Sequence, residues 1–302
     1  MFHPGEKAVQ VRAGVEADAW GSSGVGRTIP HVAADFLGRQ RFLSITALDG
    51  AGNPWTTQLT GAPGLVRVEA EDQIRVTAAL SGLDPLADVL GTSATTPPNT
   101  APVEVGILAL EPTTRRRMRI NGVAVRVDSD LVITTQQVYA NCPKYIQTRT
   151  PHSAGDRPTT GRRESDTLAP EQERWIAGAD TFFVGTASPG LGVDTSHRGG
   201  NPGFVTVGRG SLSWPDYVGN SMFMTLGNLE IEPRTSLLFL DWEHGHSLHL
   251  TGRARVDWDA GRAAAQPGAL RHIDFDVDRV IQVDHASSLS WSFERYSRFN
   301  PA

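Results

Sequence analysis

The sequence predicts a mainly β protein with minor α-helix, in which two related halves follow each other as tandem β-barrels. Three observations support this fold class. Apolar and polar residues alternate over most of the chain, clusters of Gly, Pro, Asp and Asn separate the alternating runs, and the second half repeats the pattern of the first. The length of 302 residues accommodates two domains.

The first 29 residues are expected to form a helical extension. A loose apolar stripe over residues 6–20 predicts a helix, and the glycines of Gly21–Gly26 predict a flexible break after it. Pro30 suits the first position of a helix, and a second short helix is predicted from there to Leu37. The first barrel would therefore begin near residue 30.

From Phe42 onward the hydrophobic period changes to two, which indicates strands. The predicted strands of the first half are 42–47, 55–60, 65–69, 73–78, 103–110, 117–127 and 131–134. Residues 151–170 are rich in Pro, Gly, Thr and charge, which predicts a linker loop. The predicted strands of the second half are 182–187, 204–207, 211–214, 236–240, 247–256, 279–283 and 289–293. The two barrels are thus expected over residues 30–150 and 171–302.

The internal repeat has a nearly constant offset. Phe42–Ala47 matches Phe182–Ala187 (182 − 42 = 140), and Gly122 matches Gly252 within the same apolar alternation (252 − 122 = 130). The decrease from 140 to 130 places ten additional residues in the first half, mostly around Ser93–Pro102. The alternative is that two unrelated amphipathic hairpins simply look alike.

Composition excludes several classes of partner. A net charge of −5 and a pI near 6.0 give no sign of a nucleic-acid or acidic-membrane partner. No run approaches the ~18 apolar residues of a membrane span. No signal peptide is visible, and a single cysteine, Cys142, permits no intrachain disulfide, which fits a reducing compartment. A cytoplasmic protein is therefore expected.

The segment around Arg198 has the composition of a phosphate-binding turn. Arginine binds phosphate oxygens with two parallel N–H groups, and the hydroxyl of Ser196 and the ring of His197 supply further donors. Gly199 and Gly200 let the backbone approach an anion closely. Without further support, such a segment is more often an ordinary surface turn.

A second segment offers a helix N-terminus to the same anion. Residues 214–229 are predicted to end a strand and start a short helix, with Asn220 or Ser221 as N-cap and Gly227 as the stop. Trp214 and Tyr217 lie next to it and suit the packing of a flat ring system.

These motifs together resemble the pyridoxamine 5′-phosphate oxidase-like flavin-nucleotide-binding proteins, which are FMN-binding split β-barrels. The resemblance rests on residues 196–205, 215–217, 219–220, 222–223, 226–229 and 141–147. It implies that Ser196, Arg198, Gly219, Asn220 and Ser221 lie near the FMN phosphate. It also implies that Pro215, Asp216 and Tyr217 lie beside the flavin ring.

The remaining cofactor-binding candidates are His197, Gly199, Gly200, Lys144, Tyr145 and Trp291. The resemblance further implies a homodimer and an FMN-dependent oxidoreductase, with NAD(P)H or another electron donor as partner. No catalytic residue is assigned, and the substrate is open. The alternatives are a flavin carrier or sensor without turnover, and a haem- or deazaflavin-binding barrel. The longer, duplicated chain, with no basic cluster near its C-terminus beyond Arg295 and Arg298, argues against oxidation of a B6 vitamer.

The first half lacks the phosphate-binding guanidinium. With an offset of 139, Arg198 corresponds to Leu59 and Ser196 to Thr57. Asp84 stands roughly where the neutral donors of residues 219–222 stand, and its carboxylate would repel a phosphate. One FMN site per chain is therefore expected, with the first half as scaffold, lid or ring-side wall.

Weaker signals favour structural roles. Gly21–Thr28 mimics a phosphate-binding loop but follows no apolar strand. His244, His246 and His249 cluster at a predicted turn, where surface histidines explain them better than a metal site. Cys142 has no histidine close in sequence, which favours a buried structural thiol over a nucleophile.

Overall fold

A computed structural model of the chain describes residues 2–15, 25–78, 80–91, 101–140, 142–153 and 159–302. The predicted fold class is confirmed, because strands predominate and the helices are short. The helices are α1 (Pro4–Arg12), α2 (His31–Gly38), α3 (Ala87–Leu90), α4 (Pro170–Gly178), α5 (Met224–Leu229) and α6 (Ala260–Ala264).

The strands of the first half are β1 (Phe42–Leu48), β2 (Pro54–Thr60), β3 (Val66–Ala70), β4 (Gln73–Val76), β5 (Val103–Glu111), β6 (Arg116–Val127) and β7 (Asp130–Ala140). Two connecting strands follow, β8 (Thr148–Ser153) and β9 (Gly161–Ser165). The strands of the second half are β10 (Thr181–Ser188), β11 (Gly192–Gly199), β12 (Thr206–Gly208), β13 (Ser211–Tyr217), β14 (Arg234–Leu240), β15 (Ser247–Asp257), β16 (Ala269–Asp284) and β17 (Leu289–Arg295).

Two antiparallel sheets repeat one strand order. The first runs β2-β1-β5-β6-β7-β4-β3, and the second runs β11-β10-β14-β15-β16-β13-β12, with β9 added beside β16. The registers keep the offset found in the sequence, since Leu108 pairs with Arg119 and Leu238 with His249 (249 − 119 = 130). The agreement between order and register supports the internal repeat.

Each half has its own apolar core, and a third core joins the halves. The third core contains Phe42, Phe183, Leu238 and Trp291. Polar side chains are also buried across the junction, where Thr46 and Thr195 lie 2.6 Å apart at their hydroxyl oxygens. The halves therefore pack as one unit along β1, β2, β10 and β11.

Three sequence-based expectations need correction. The segment 151–170 is not a plain linker loop, because it contains the end of β8 and all of β9, which pair with β17 and β16. Residues 194–199 are not a turn but most of strand β11, which lies hydrogen-bonded beside β10. The helix predicted over 6–20 ends at Arg12, and residues 16–24 lie outside the described ranges, as do most of residues 93–102 and the start of Gly21–Thr28.

The N-terminal helix packs on the second half. Gly5 of α1 meets Gly227 of α5 so closely that a Cβ atom on Gly5 would lie 2.1 Å from the Gly227 carbonyl oxygen. The ring of His3 adds a hydrogen bond to Asn228, with Nε2 at 3.0 Å from Oδ1. In the part of the chain that the structure describes, no helix has the length and apolarity needed to span a membrane.

A candidate anion-binding cleft between the two halves

A cleft opens where β6 of the first half faces β11 and β13 of the second. It encloses about 920 Å³ of space, part of which is continuous with solvent. Its described lining residues include five cationic side chains and one carboxylate, Asp216. The cations are Arg117, Arg119, Lys144, Arg198 and Arg271. This excess of positive charge suits an anionic ligand.

Eleven of the fourteen predicted site residues line this cleft: Lys144, Tyr145, His197, Arg198, Gly199, Pro215, Asp216, Tyr217, Gly219, Asn220 and Ser221. The other three do not. Ser196 is fully buried behind it, where its hydroxyl accepts a hydrogen bond from Thr225 at 3.1 Å. Gly200 packs on Phe204, and Trp291 lies in the core between the halves. The assignment of Trp291 beside a flavin does not agree with this position.

Strand β11 places Arg198 in the cleft. Burial lowers the pKa of Arg198 to about 10. The attraction of Asp216 opposes this decrease, and the repulsion of Arg119 adds to it. Its Nη1 donates to the carbonyl oxygen of His197 at 3.1 Å, whereas its buried Nε has no hydrogen-bond partner. A buried N–H group without an acceptor is costly, so this atom marks a place for one.

The first half contributes two arginines that the sequence argument missed. Burial, followed by the nearby charges of Arg119 and Arg198, lowers the pKa of Arg117 to about 9. Arg119 has partial compensation, because its Nη1 lies 3.3 Å from the Tyr139 hydroxyl and 4.0 Å from Asp194. The Nε atoms of both arginines are buried and have no hydrogen-bond partner. The sequence signal that could have found them is the alternation of Arg117 and Arg119 with the apolar Met118 and Ile120 along a predicted strand.

His197 is a neutral hydrogen-bond donor. It is 4% exposed, and its pKa lies well below the usual value because of burial and the repulsion of Arg117 and other arginines. Arg117 donates from Nη1 to Nδ1 of His197 at 3.1 Å. Because a guanidinium can only donate, Nδ1 must be the acceptor, and the proton resides on Nε2. That Nε2 is buried without a partner.

Asp216 is held by Arg271 at the other side of the cleft. The Arg271 Nε lies 3.2 Å from Asp216 Oδ2, and its guanidinium lies over the rings of Phe223 and Trp258 at 5.1 and 4.7 Å. Burial raises the pKa of Asp216, against the attraction of Arg198 and Arg271. The Nη1 of Arg271 is a further buried donor without a partner.

Two tyrosines form an aromatic wall. The rings of Tyr145 and Tyr217 lie 5.2 Å apart at an angle of 37°, and the Tyr145 hydroxyl donates to the Val218 carbonyl at 3.0 Å. The Tyr145 backbone has a φ of 64°, an uncommon conformation for a non-glycine residue. The wall therefore joins the loop after β7 to the end of β13.

The predicted helix N-cap is wrong. Helix α5 begins at Met224 with Phe223 as N-cap, and it continues past Gly227 to Leu229. Asn220 instead closes a local turn, in which its Oδ1 accepts from the Met222 N–H at 3.2 Å. Gly227 lies inside the helix and serves packing, because α1 leaves no room for a side chain there: an added Cβ would lie 2.6 Å from the Glu6 backbone.

The two glycines after Arg198 serve packing. A Cβ on Gly199 would lie 2.1 Å from the carbonyl oxygen of Tyr145, and one on Gly200 would lie 2.5 Å from the Phe204 ring. Gly199 lets β11 approach the loop that carries Lys144 and Tyr145. Neither position supports the predicted wrapping of backbone N–H groups around an anion, since the Gly200 N–H donates to the Asp180 carbonyl at 3.1 Å.

The histidine cluster and Cys142, which were the weaker candidates of the sequence analysis, have different outcomes. Within the described residues, no group of three or more His, Cys, Asp or Glu is placed to hold a metal ion. His249 is buried, and its Nδ1 lies 2.8 Å from the Thr56 carbonyl oxygen, whereas His244 is exposed. Cys142 is not a buried structural thiol, because it is partly exposed and lines the cleft.

The corresponding place in the first half is closed by a carboxylate. Asp84 is 7% exposed and accepts hydrogen bonds from the hydroxyl of Thr57 and, at 2.8 Å, from the Leu86 N–H. His249 and Ser247 stand where Arg119 and Arg117 stand in the open cleft (247 − 117 = 130). The first half therefore has a filled counterpart of the site.

Comparison with known proteins finds only distant similarity. No family model and no curated protein matches the chain. Among solved structures, it is similar to HupZ of Group A Streptococcus (11% identity, 37% of this chain and 92% of that chain, TM-score 0.32). It is also similar to FAD-binding proteins from Mesorhizobium loti (13%, 40% and 97%, 0.29) and Mycobacterium smegmatis (13%, 39% and 98%, 0.28). At these values the residues of the cleft must carry the functional argument.

Proposed function

We propose that the chain is a flavoprotein that binds FMN in this cleft and acts as an FMN-dependent oxidoreductase. One observation carries the proposal: buried donors of Arg117, His197 and Arg198 surround the cleft without acceptors. Each unmet buried donor costs about 1–3 kcal/mol, and a phosphate offers the oxygens that would satisfy them.

The flavin part of the proposal rests on the wall and on the sequence resemblance. Tyr145 and Tyr217 offer aromatic surface at the cleft, and Lys144 lies beside them in the lining. Residues 196–205, 215–217, 219–220, 222–223, 226–229 and 141–147 resemble the FMN-binding motifs, and half of these positions line the same cleft. We therefore assign the phosphate to the arginine side and the ring to the tyrosine side.

The protein would bind and orient its cofactor. When bound, the flavin supplies hydride or electron transfer at its ring. Arg198 and Arg117 hold the anionic end, and His197 donates from Nε2 as a neutral group. With Nδ1 occupied by Arg117 and a depressed pKa, His197 is a donor and not a general base.

FMN and riboflavin differ only in the phosphate, which makes the pair a direct test. We expect FMN to bind more tightly than riboflavin in a fluorescence-quenching titration. Arg198→Gln should weaken FMN about 10–100-fold, the equivalent of one charge-assisted hydrogen bond, and leave riboflavin unchanged. Arg209→Gln, at an exposed position, is the control. Equal affinities for the two flavins, or an unchanged FMN affinity in Arg198→Gln, would contradict the proposal.

Turnover needs a separate assay. Reduction of bound FMN by NADH or NADPH supports the oxidoreductase, whereas intact binding without reduction by any donor favours a flavin carrier. The absorption spectrum of the purified protein separates FMN from haem and deazaflavin.

The homodimer also stays a prediction, because the first half of the same chain already completes the cleft. Light scattering after gel filtration measures the oligomeric state.

A further inference from the structure

The only cysteine of the chain lies in the cleft. Cys142 follows β7, is partly exposed and belongs to the lining. It is close enough to Arg117 and to Tyr145 for electrostatic interaction with both. Neither the proposed phosphate contacts nor the aromatic wall gives this thiol a role.

A second observation points to an anion in the same cleft. His197 and Arg271 are each 4% exposed, line the same cleft, and have buried nitrogen atoms, Nε2 and Nη1, without partners. Lys144 adds a cation two residues from the cysteine. A cleft in which cations outnumber carboxylates five to one raises the local concentration of anions. Anionic reagents would therefore reach the sulfur preferentially.

We propose that Cys142 is a modification site, at which small disulfides that carry carboxylate or phosphate groups form a mixed disulfide and exclude the anionic ligand. The Cys142 thiolate attacks one sulfur of the reagent, a new S–S bond forms, and the reagent's own S–S bond breaks. The leaving sulfur takes the electron pair and then the proton that Cys142 lost. Cys142 is oxidised, and half of the reagent is reduced to a thiol.

This inference rests on the anionic character proposed for the cleft's ligand, and not on that ligand being a flavin. Since the chain has one cysteine, intact-mass measurement reports on Cys142 alone. The ligand-free full chain is treated with iodoacetate, which is anionic, and with iodoacetamide, which is neutral. The rate with iodoacetate is divided by the rate with iodoacetamide, and this ratio is then divided by the same ratio for N-acetylcysteine.

We expect this normalised ratio to be at least about three, because the cations of the cleft attract the anionic reagent. Arg117→Gln should bring it towards one, and Arg209→Gln should leave it unchanged. Cys142→Ser verifies that the label is on this residue. A normalised ratio of one in the native protein, or a ratio unaffected by Arg117→Gln, would overturn the proposal.

Disulfide probes test the reaction itself. Oxidised glutathione should add faster than cystamine, its cationic counterpart, and inorganic phosphate should slow the addition. The adduct should bind FMN at least about tenfold more weakly than the free thiol form, and a reductant should restore binding. If the protein prefers anionic reagents but fails to bind FMN, the proposed flavin binding is contradicted and the inference about Cys142 is supported. FMN binding without that preference would overturn this inference alone.

Discussion

Arg117 in the first half donates a hydrogen bond at 3.1 Å to His197 in the second half. The contact joins β6 to β11 across the junction and fixes which nitrogen of the imidazole carries the proton. The first half, which has no counterpart of Arg198, therefore completes the cleft that Arg198 lines in the second half. A single chain assembles a composite site.

The first prediction concerns that contribution. Arg117→Gln should weaken FMN binding about 10–100-fold, because it removes a charge-assisted donor and frees His197 Nδ1 from its partner. Titration calorimetry measures the change. Arg116→Gln, an exposed neighbour on the same strand, is the matched control. If both variants bind FMN like the native protein, the ligand contacts the second half alone.

The second prediction concerns pH. His197 stays neutral in the folded protein because burial lowers its pKa well below 6.5, whereas the unfolded chain takes up a proton near pH 6.5. The free energy of unfolding should therefore fall as pH decreases below about 6.5, by up to about 1.4 kcal/mol per pH unit for this group. Above about pH 6.5, the imidazole of His197 is neutral in both states and no longer lowers the free energy of unfolding.

Urea unfolding between pH 5 and 8 measures this dependence. His197→Gln should flatten the decrease below pH 6.5, and His31→Gln, at an exposed position, should leave it unchanged. Identical slopes in native protein and His197→Gln would show that this imidazole does not titrate as argued.

Local sequence predicted the features that depend on local chemistry. Alternation predicted most of the strands, and the repeat predicted that the two halves have related folds. Arg198, Asp216 and Tyr217 reach the cleft because each lies in a recognisable motif on β11 or β13. Trp291 was assigned to the cofactor, but it lies in the third core, which local sequence does not reveal because both halves contribute to it.

The rest depends on contacts between distant segments. Arg117 lies 80 residues before His197, and its alternation with Arg119 along β6 does not show which distant residue it contacts (197 − 117 = 80). Residues 194–199 look like a turn because they are polar. They form a strand because the halves bury polar groups between them, as Thr195 shows by donating to the Gly106 carbonyl at 2.6 Å.

The third prediction tests a close approach. Gly199→Ala would place a Cβ 2.1 Å from the Tyr145 carbonyl, so that β11 or the loop after β7 must move. We expect a loss of about 1–3 kcal/mol in the free energy of unfolding and weaker FMN binding. Thermal unfolding and a flavin titration measure the two effects. Gly178→Ala, where an added Cβ meets nothing within 4 Å, should change neither.

The fourth prediction concerns the docking of α1. Burial raises the pKa of Glu6 from 4.5 to about 7, against the hydrogen bond that its Oε2 accepts from the His3 N–H. The folded state thus binds this proton more tightly than the unfolded state, and stability should be lost as pH rises from about 4.5 to 7. Glu6→Gln keeps an acceptor and removes the charge. Its melting temperature should exceed that of the native protein at pH 8 and approach it at pH 4.5; equal values at both pH would contradict the argument.

The last prediction concerns the filled counterpart of the site. The Asp84 carboxylate accepts from Thr57 and Leu86, and Thr57 corresponds to Ser196, which lies behind the open cleft (196 − 57 = 139). Asp84 thus takes the place that an anion's oxygens would take. Asp84→Ala should leave these donors unpaired and cost about 1–3 kcal/mol of stability.

A small carboxylate should replace the missing side chain. Formate is expected to raise the melting temperature of Asp84→Ala and to have little effect on the native protein or on Asp88→Ala, an exposed acid on α3. FMN stoichiometry should remain one per chain, because Leu59 stands where Arg198 stands and supplies no guanidinium. Two equivalents of FMN in Asp84→Ala would show that the carboxylate alone had closed a competent site. Absence of formate rescue would instead show that Asp84 serves the fold by its local turn and not as an internal anion.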